Sequence, residues 1–346
     1  MINEIGEGRL RAIRLIALAV AFVLLAVGGY LILMRDRLEH TLAGPPEKVT
    51  IAYSTLPYAA LSQIAQVRGF YRQEGLDVTP QLYSHGKLAL EAVLAGKADF
   101  ATVAETPVML AIMNGVDLSI LANIHSSKKN HAIVARKDRG VVAPGDLKGR
   151  RVGATLGTSG DFYLDAFLLA REIPRKDVEV VDLKPQEIAR AFIKGDVDAV
   201  ATWAPFLMQT QKEAGELGVS FYDDDIYTLM FTIVSTREYA GKNPEKIRKM
   251  LRALLRAEEF AHRNPTEAQR LVADFNDIDP VTLKQIWSSS TFRVTLDQAL
   301  VLALEDESRW AIQNRLTSRK TIPNYLEFIH LDALQSVEPD AVGILR

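Results

Sequence analysis

Along this chain the spacing of apolar side chains switches repeatedly between every second residue and every third or fourth. Val49 to Tyr53 reads as a strand, Ala59 to Glu74 as an amphipathic helix ended by Gly75, and Leu76 to Tyr83 as a second strand. Lys87 to Ala95 is a helix stopped by Gly96, Ala98 to Val103 a strand, and Pro107 to Asn114 the start of another helix. A second round follows: strand Arg151 to Ala154, helix Asp161 to Arg171, strand Val178 to Asp182, helix Pro185 to Lys194 before Gly195, and strand Ala199 to Thr202. Short β-rich runs alternating with amphipathic helices predict an α/β fold.

The two rounds share details as well as order. AVLAGKADFATVAETP (residues 92–107) and AFIKGDVDAVATWAP (residues 191–205) match at Gly96 and Gly195 and at Asp99 and Asp198, and both end at a proline that opens a helix. Two similar lobes are expected, meeting at a cleft faced by the loops at the carboxyl ends of their strands. The β-rich segments Asn130 to Lys137 and Leu229 to Arg237 bracket the second round and are the expected crossings between lobes, the hinge. The chain then divides into residues 49–130 plus 237–346 for lobe 1 and residues 131–236 for lobe 2. Helices expected at Pro244 to His262, Pro265 to Phe275 and Leu296 to Asn314 cover the first lobe.

Composition adds most at the N-terminus. The 346 residues are 48% hydrophobic and 24% charged, an ordinary globular balance. Ahead of the first strand, however, Leu15 to Met34 (LIALAVAFVLLAVGGYLILM) is an unbroken apolar or small run, long enough at roughly 1.5 Å per residue to cross a bilayer. Arg9, Arg11 and Arg14 precede it and Arg35 and Arg37 follow, flanks that mark membrane interfaces. The reading is an uncleaved transmembrane anchor within residues 1–40 and a linker over residues 41–48; Ala26-Val27-Gly28 keeps a cleaved signal peptide open as the alternative. Lys+Arg 41 against Asp+Glu 43 removes nucleic acid from the expected partners. With Cys 0 there is no disulfide, no thiolate nucleophile, no cysteine zinc site and no cysteine for a lipid anchor.

Four strand-to-helix turns face the expected cleft: Ser54-Thr55-Leu56-Pro57, Ser84-His85-Gly86-Lys87, Glu105-Thr106-Pro107 and Gly157-Thr158-Ser159-Gly160. The last offers backbone N–H groups and two hydroxyls at the positive end of a helix, which suits a small anion. It also reads as a plain N-cap, with Ser159 capping the helix that Asp161 begins. Trp203, at a strand end with Pro205 beside it, either packs on a ligand's carbon portion or belongs to the core. Glu105 is repulsive in an anion pocket unless it binds an ammonium or amide of the ligand, pairs with Lys87, or caps the helix at Pro107. His125 and His131 flank Ser126 to Asn130, which reads as a solvated loop. No catalytic constellation emerges. Gly157 to Asp161 lacks the last glycine of G-x-S-x-G, no G-K-[ST] follows, no G-x-G-x-x-G opens a helix after the first strand, and no H-E-x-x-H occurs. Neither metal nor cofactor is expected.

Further pieces recur in a telling order: Gly69-Phe70-Tyr71, then Glu74-Gly75-Leu76-Asp77-Val78; Leu94-Ala95-Gly96-Lys97-Ala98-Asp99-Phe100; Glu105-Thr106-Pro107. Asp146-Leu147-Lys148-Gly149-Arg150-Arg151-Val152 follows, and Gly195-Asp196-Val197-Asp198-Ala199 precedes Trp203-Ala204-Pro205. With these pieces, Val49 to about Glu267 resembles the substrate-binding proteins of ABC importers for nitrate, sulfonate, taurine and bicarbonate, a branch of the type II periplasmic binding proteins.

The resemblance implies two α/β sandwich lobes, a two-segment hinge, and a ligand that closes the cleft for delivery to a membrane permease. It puts Ser54, Thr55, Leu56, Glu105, Thr106, Thr158, Ser159, Trp203 and Pro205 in the pocket; His85 and Gly157 join them from the turns above. Glu105-Thr106-Pro107 looks most like the aliphatic-sulfonate members. The implied protein is a non-enzymatic, monomeric solute binder, tethered to the bilayer by Leu15 to Met34 with its lobes outside the cytoplasmic membrane. Two alternatives stay open: a thiamine-pyrimidine-precursor binder or enzyme on the same fold, and a tethered sensory module.

Overall fold

In the computed structural model, which describes residues 45–345, strands and helices alternate as their periodicity requires. β1 (Glu47–Ser54) leads through a short turn of helix to α1 (Ala60–Val67) and α2 (Phe70–Gln73). The single helix expected over residues 59–74 is broken at Gly69, whose φ of 71° is left-handed and open to glycine at little cost. β2 (Leu76–Tyr83), α3 (Gly86–Leu94), β3 (Phe100–Ala104), α4 (Glu105–Met113) and β4 (Leu118–Ser127) complete the first round.

The second round comprises β5 (His131–Arg136), β6 (Arg151–Ala154), α5 (Ser159–Leu169), β7 (Glu179–Asp182), α6 (Ile188–Lys194), β8 (Ala199–Trp203), α7 (Phe206–Ala214) and β9 (Gly218–Phe221). The chain returns through β10 (Leu229–Thr236) to α8 (Arg237–Lys242), α9 (Pro244–Arg263), α10 (Pro265–Asn276) and α11 (Pro280–Ser288). It ends with β11 (Leu296–Asp297), α12 (Gln298–Gln313), α13 (Leu331–Val337) and β12 (Val342–Gly343).

Two five-stranded mixed sheets result, in the orders β2-β1-β3-β10-β4 and β7-β6-β8-β5-β9. Their inner strands β3 (FATVA) and β8 (AVATW) are buried at every residue, as strands covered on both faces must be. The internal repeat has a structural role in each lobe. Asp99 Oδ2 accepts the N–H of Thr50 at 2.7 Å, and Asp198 Oδ2 accepts that of Arg151 at 3.0 Å. Each aspartate thereby fastens one parallel strand to its neighbour, and Gly96 and Gly195 make the left-handed turns before them.

The expected crossings are corrected. His131–Arg136 and Leu229–Thr236 are themselves inner strands, paired on both sides, because their runs of buried apolar residues need a sheet face on each side. The chain passes between sheets at residues 128–130 and 222–228, so β10, expected in the second lobe, belongs to the first sheet. Leu15 to Met34 lies outside the described residues, among which no helix is long and apolar enough to cross a membrane.

Candidate ligand-binding cleft

Four helix starts converge between the two sheets. Leu56 and Tyr58 lie where the first helical turn opens, His85, Gly86 and Lys87 at the head of α3, Ala104 and Pro107 at that of α4, and Thr158 and Ser159 at that of α5. With Trp203 from the end of β8 and Leu229 and Phe231 from β10, they line a cavity of about 20 Å³, room for about one water. First-turn N–H groups have no acceptor within their own helix and sit at its positive end, so each start favours negative charge. Among the described residues no carboxylate lines this cavity.

The lobes are tied across it. The Tyr58 hydroxyl donates to the carbonyl of Ala204, and Lys87 Nζ donates to the carbonyl of Leu156 at 3.0 Å. Trp203 packs against Gly160 so closely that a Cβ there would lie 3.0 Å from the indole. Its Nε1–H is buried with no hydrogen-bond partner, a costly state for a donor in a finished core. Ser159 Oγ shares a hydrogen bond with His131 Nε2 at 3.0 Å. Burial lowers His131 to about 3; burial, then the nearby Lys87 charge, lowers His85 to about 4, so both imidazoles are neutral at neutral pH.

Of the residues expected in the pocket, Leu56, His85, Thr158, Ser159 and Trp203 line the cavity. The others are turned elsewhere. Ser54 is buried in β1, where its N–H donates to Thr102 Oγ1, and Thr55 donates its hydroxyl to the carbonyl of Tyr83. Gly157 gives its N–H to Asp161 and faces a neighbouring groove, while Pro205 stands behind Trp203 at the head of α7. Thr158, not Ser159, caps α5: its Oγ1 accepts from Gly160 N, and the helix starts at Ser159.

Glu105 departs furthest from expectation. Its carboxyl turns back into the first lobe, where Oε1 accepts from the Tyr227 hydroxyl and Oε2 from Met230 N at 3.0 Å. Burial pushes it up to about 8. Thr106 follows it inward and donates to Glu307 Oε1 at 2.5 Å, Glu307 being a second buried carboxyl beside the first. Lys87 is not the partner of Glu105. Nor do His125 and His131 lie in a solvated loop: His125 is fully buried, stacked on Tyr58 at 4.9 Å and bonded to Ser290.

Sequence reasoning missed Tyr58 as a lining residue and Lys87 as a bridge between lobes. For Lys87 a signal existed, since a lysine in the first turn of a helix opposes the dipole and needs another reason to be there. Tyr58 carried none, an aromatic after Pro57 being ordinary core.

A cavity shut between two α/β lobes defines the two-lobed periplasmic-binding-protein fold. The chain belongs to the NMT1/THI5-like family, whose profile matches residues 57–268. A Bacillus subtilis (strain 168) protein named for aliphatic-sulfonate binding is 25% identical over 240 residues, 69% of this chain and 72% of its own. The periplasmic aliphatic sulphonate binding protein SsuA from Escherichia coli superposes with a TM-score of 0.68 at 20% identity, covering 82% of this chain and 99% of that one. The desulfurization enzyme DSZB shares the fold, with a TM-score of 0.66 at 15% identity over 85% of this chain and 99% of its own.

Proposed function

We propose that this protein is a solute-binding protein that captures a small organic oxyanion, a sulfonate, by closing its lobes and passes it to an ABC permease. The observation that carries this is the cavity's lining: four helix starts and Lys87, with no carboxylate among the described residues. The unpartnered Nε1–H of Trp203 supplies a further donor, and with a proton on Nε2 of His131 the Ser159 hydroxyl is free to donate as well. Such groups replace the ligand's water without chemistry, and each lobe contributes part of the shell. Leu15 to Met34 would hold the lobes at the membrane, outside the cytoplasm. The relative named for aliphatic-sulfonate binding supports the ligand class.

The shared fold of a desulfurization enzyme and the Ser159–His131 pair give the catalytic reading its one foothold. Burial that lowers His131 to about 3 leaves it a poor base for activating a hydroxyl at neutral pH. A thermal-shift titration of the full chain with taurine, alkanesulfonates, nitrate, bicarbonate, phosphate and aminopyrimidines tests the proposal, because a ligand of the folded state raises its melting temperature. Sulfonates are expected to raise it. A rise with aminopyrimidines alone would overturn the anion reading.

A further inference from the structure

The crossing at residues 225–228, Phe162 of α5 and one side of α12 enclose a pocket of about 290 Å³ that shares no lining residue with the cleft. Its charge is one-sided. Asp225, Asp306 and Glu307 line it, and no lysine, arginine or histidine does. Arg309, which pairs with Asp306, stands outside the lining. Glu307 is 1% exposed and its two oxygens differ: Oε1 accepts from Thr106 at 2.5 Å, whereas Oε2 has no hydrogen-bond partner. The neighbouring Glu105 does not meet that need, since its own two oxygens accept from Tyr227 and Met230. A buried carboxyl oxygen left unpaired is costly, and the pocket that Glu307 lines is the space from which a donor can reach it.

We propose that this pocket is a second ligand site, which binds a small alkylammonium with its N–H groups on Glu307 and its carbon chain along Met230, Leu302 and Ala303. An ammonium brings both what the pocket lacks, positive charge, and what Glu307 Oε2 lacks, a donor. The rings of Phe162 and Tyr227, with centroids 5.4 Å apart, add aromatic surface of the kind that attracts such groups. A bare metal ion fits less well, because among the described residues no three carboxylates or imidazoles gather to ligate one. In the empty pocket Glu307 holds a proton: burial, then the charge of Glu105, raises it well above the ordinary carboxyl range. The other ionisable groups that act on it are Asp306 on its own helix, Tyr227 of the crossing and Tyr325, none of them a cation. An entering ammonium therefore takes the place of that proton, which leaves for solvent.

The test is isothermal titration of the full chain with n-butylammonium chloride and, as the uncharged control, n-butanol, at pH 6.5 and 7.5. The ammonium is expected to bind one to one, and the alcohol about tenfold or more weakly, since a hydrogen bond to a charged group is the stronger. Release of one proton on binding should lower the ammonium's Kd by about tenfold for each unit of rising pH. Glu307→Gln keeps the acceptor for Thr106 and removes the charge, and should abolish the pH dependence and weaken binding about tenfold. Leu302→Lys places a cation at the same pocket from a side chain that is 54% exposed, so it leaves the core alone and should prevent ammonium binding even where Glu307→Gln does not fold. No ammonium binding, equal binding of the alcohol, an affinity that ignores pH, or binding that survives Leu302→Lys overturns the site. None of these outcomes depends on what the cleft binds.

Discussion

Trp310 of α12 donates its indole N–H to Asp165 of α5 at 2.6 Å, a hydrogen bond from the C-terminal helices to the second lobe. Asp165 also accepts from Arg175, which pairs with Asp161 at 3.0 Å, and Asp161 in turn accepts the N–H of Gly157. A run of charge-assisted bonds thus connects α12 to the turn that carries Thr158 and Ser159.

Trp310→Phe keeps a ring against Phe162, whose centroid lies 5.3 Å away, and removes only the donor. A hydrogen bond to a charged group contributes roughly 1.5–3 kcal/mol, so the shut form should lose favour and sulfonate affinity fall about tenfold. Small-angle scattering of the ligand-free variant should report a larger radius of gyration. Unchanged scattering together with unchanged affinity would remove Trp310 from closure.

Trp203→Phe separates binding from folding. Because the indole N–H has no partner, its removal strands no acceptor, and the ligand-free variant should melt within a few degrees of the native protein. Sulfonate affinity should nevertheless drop about threefold to tenfold, the loss of one donor. Native-like affinity by calorimetry would mean that the indole does not contact the ligand.

The buried carboxyl of Glu105 sets a pH dependence whose sign follows from its shift. Folding raises it from 4.5 to about 8, so the folded state holds a proton that the unfolded chain has released. Its contribution to stability is complete below about pH 4.5 and is lost as pH rises through about 8. Urea midpoints measured from pH 5 to 8.5 should fall with pH, and Glu105→Gln should flatten that fall. The slope should not vanish, since burial also raises Glu307. An identical slope in the variant would assign the titration elsewhere.

Gly86→Ala tests how closely α3 seats on β3. The added Cβ would lie 2.8 Å from Val103 Cα and 3.2 Å from the Thr102 carbonyl, both backbone, so the helix must lift. Overpacking of this kind costs about 1–3 kcal/mol, and the ligand-free melting temperature should fall by several degrees. A native melting temperature would show that α3 has room to move.

The α/β alternation and the repeat were legible because each is local: Asp99 and Asp198 follow their glycines at one spacing and do one job in each sheet. The lobe that owns β10 was not legible, because a buried apolar strand has the same pattern in either sheet and only its partners, β3 and β4, decide. Within the site, Thr158, Ser159 and Trp203 stand at turns whose direction the neighbouring helix or strand fixes. Glu105 and Thr106 also open a helix, yet they turn inward to Tyr227 and Glu307, residues more than a hundred positions away that no local pattern could supply.

Tyr58, Lys87 and Trp310 all reach from the first lobe's side to oxygens of the second, at Ala204, Leu156 and Asp165. In kinetic terms such a closure is a timer. Under the proposed function the cargo's departure waits on bonds made between parts of the protein, and two of the three tying groups, Tyr58 and Lys87, also line the cavity. Residence time under that function is then set largely by the bonds that hold the lobes together at Ala204, Leu156 and Asp165.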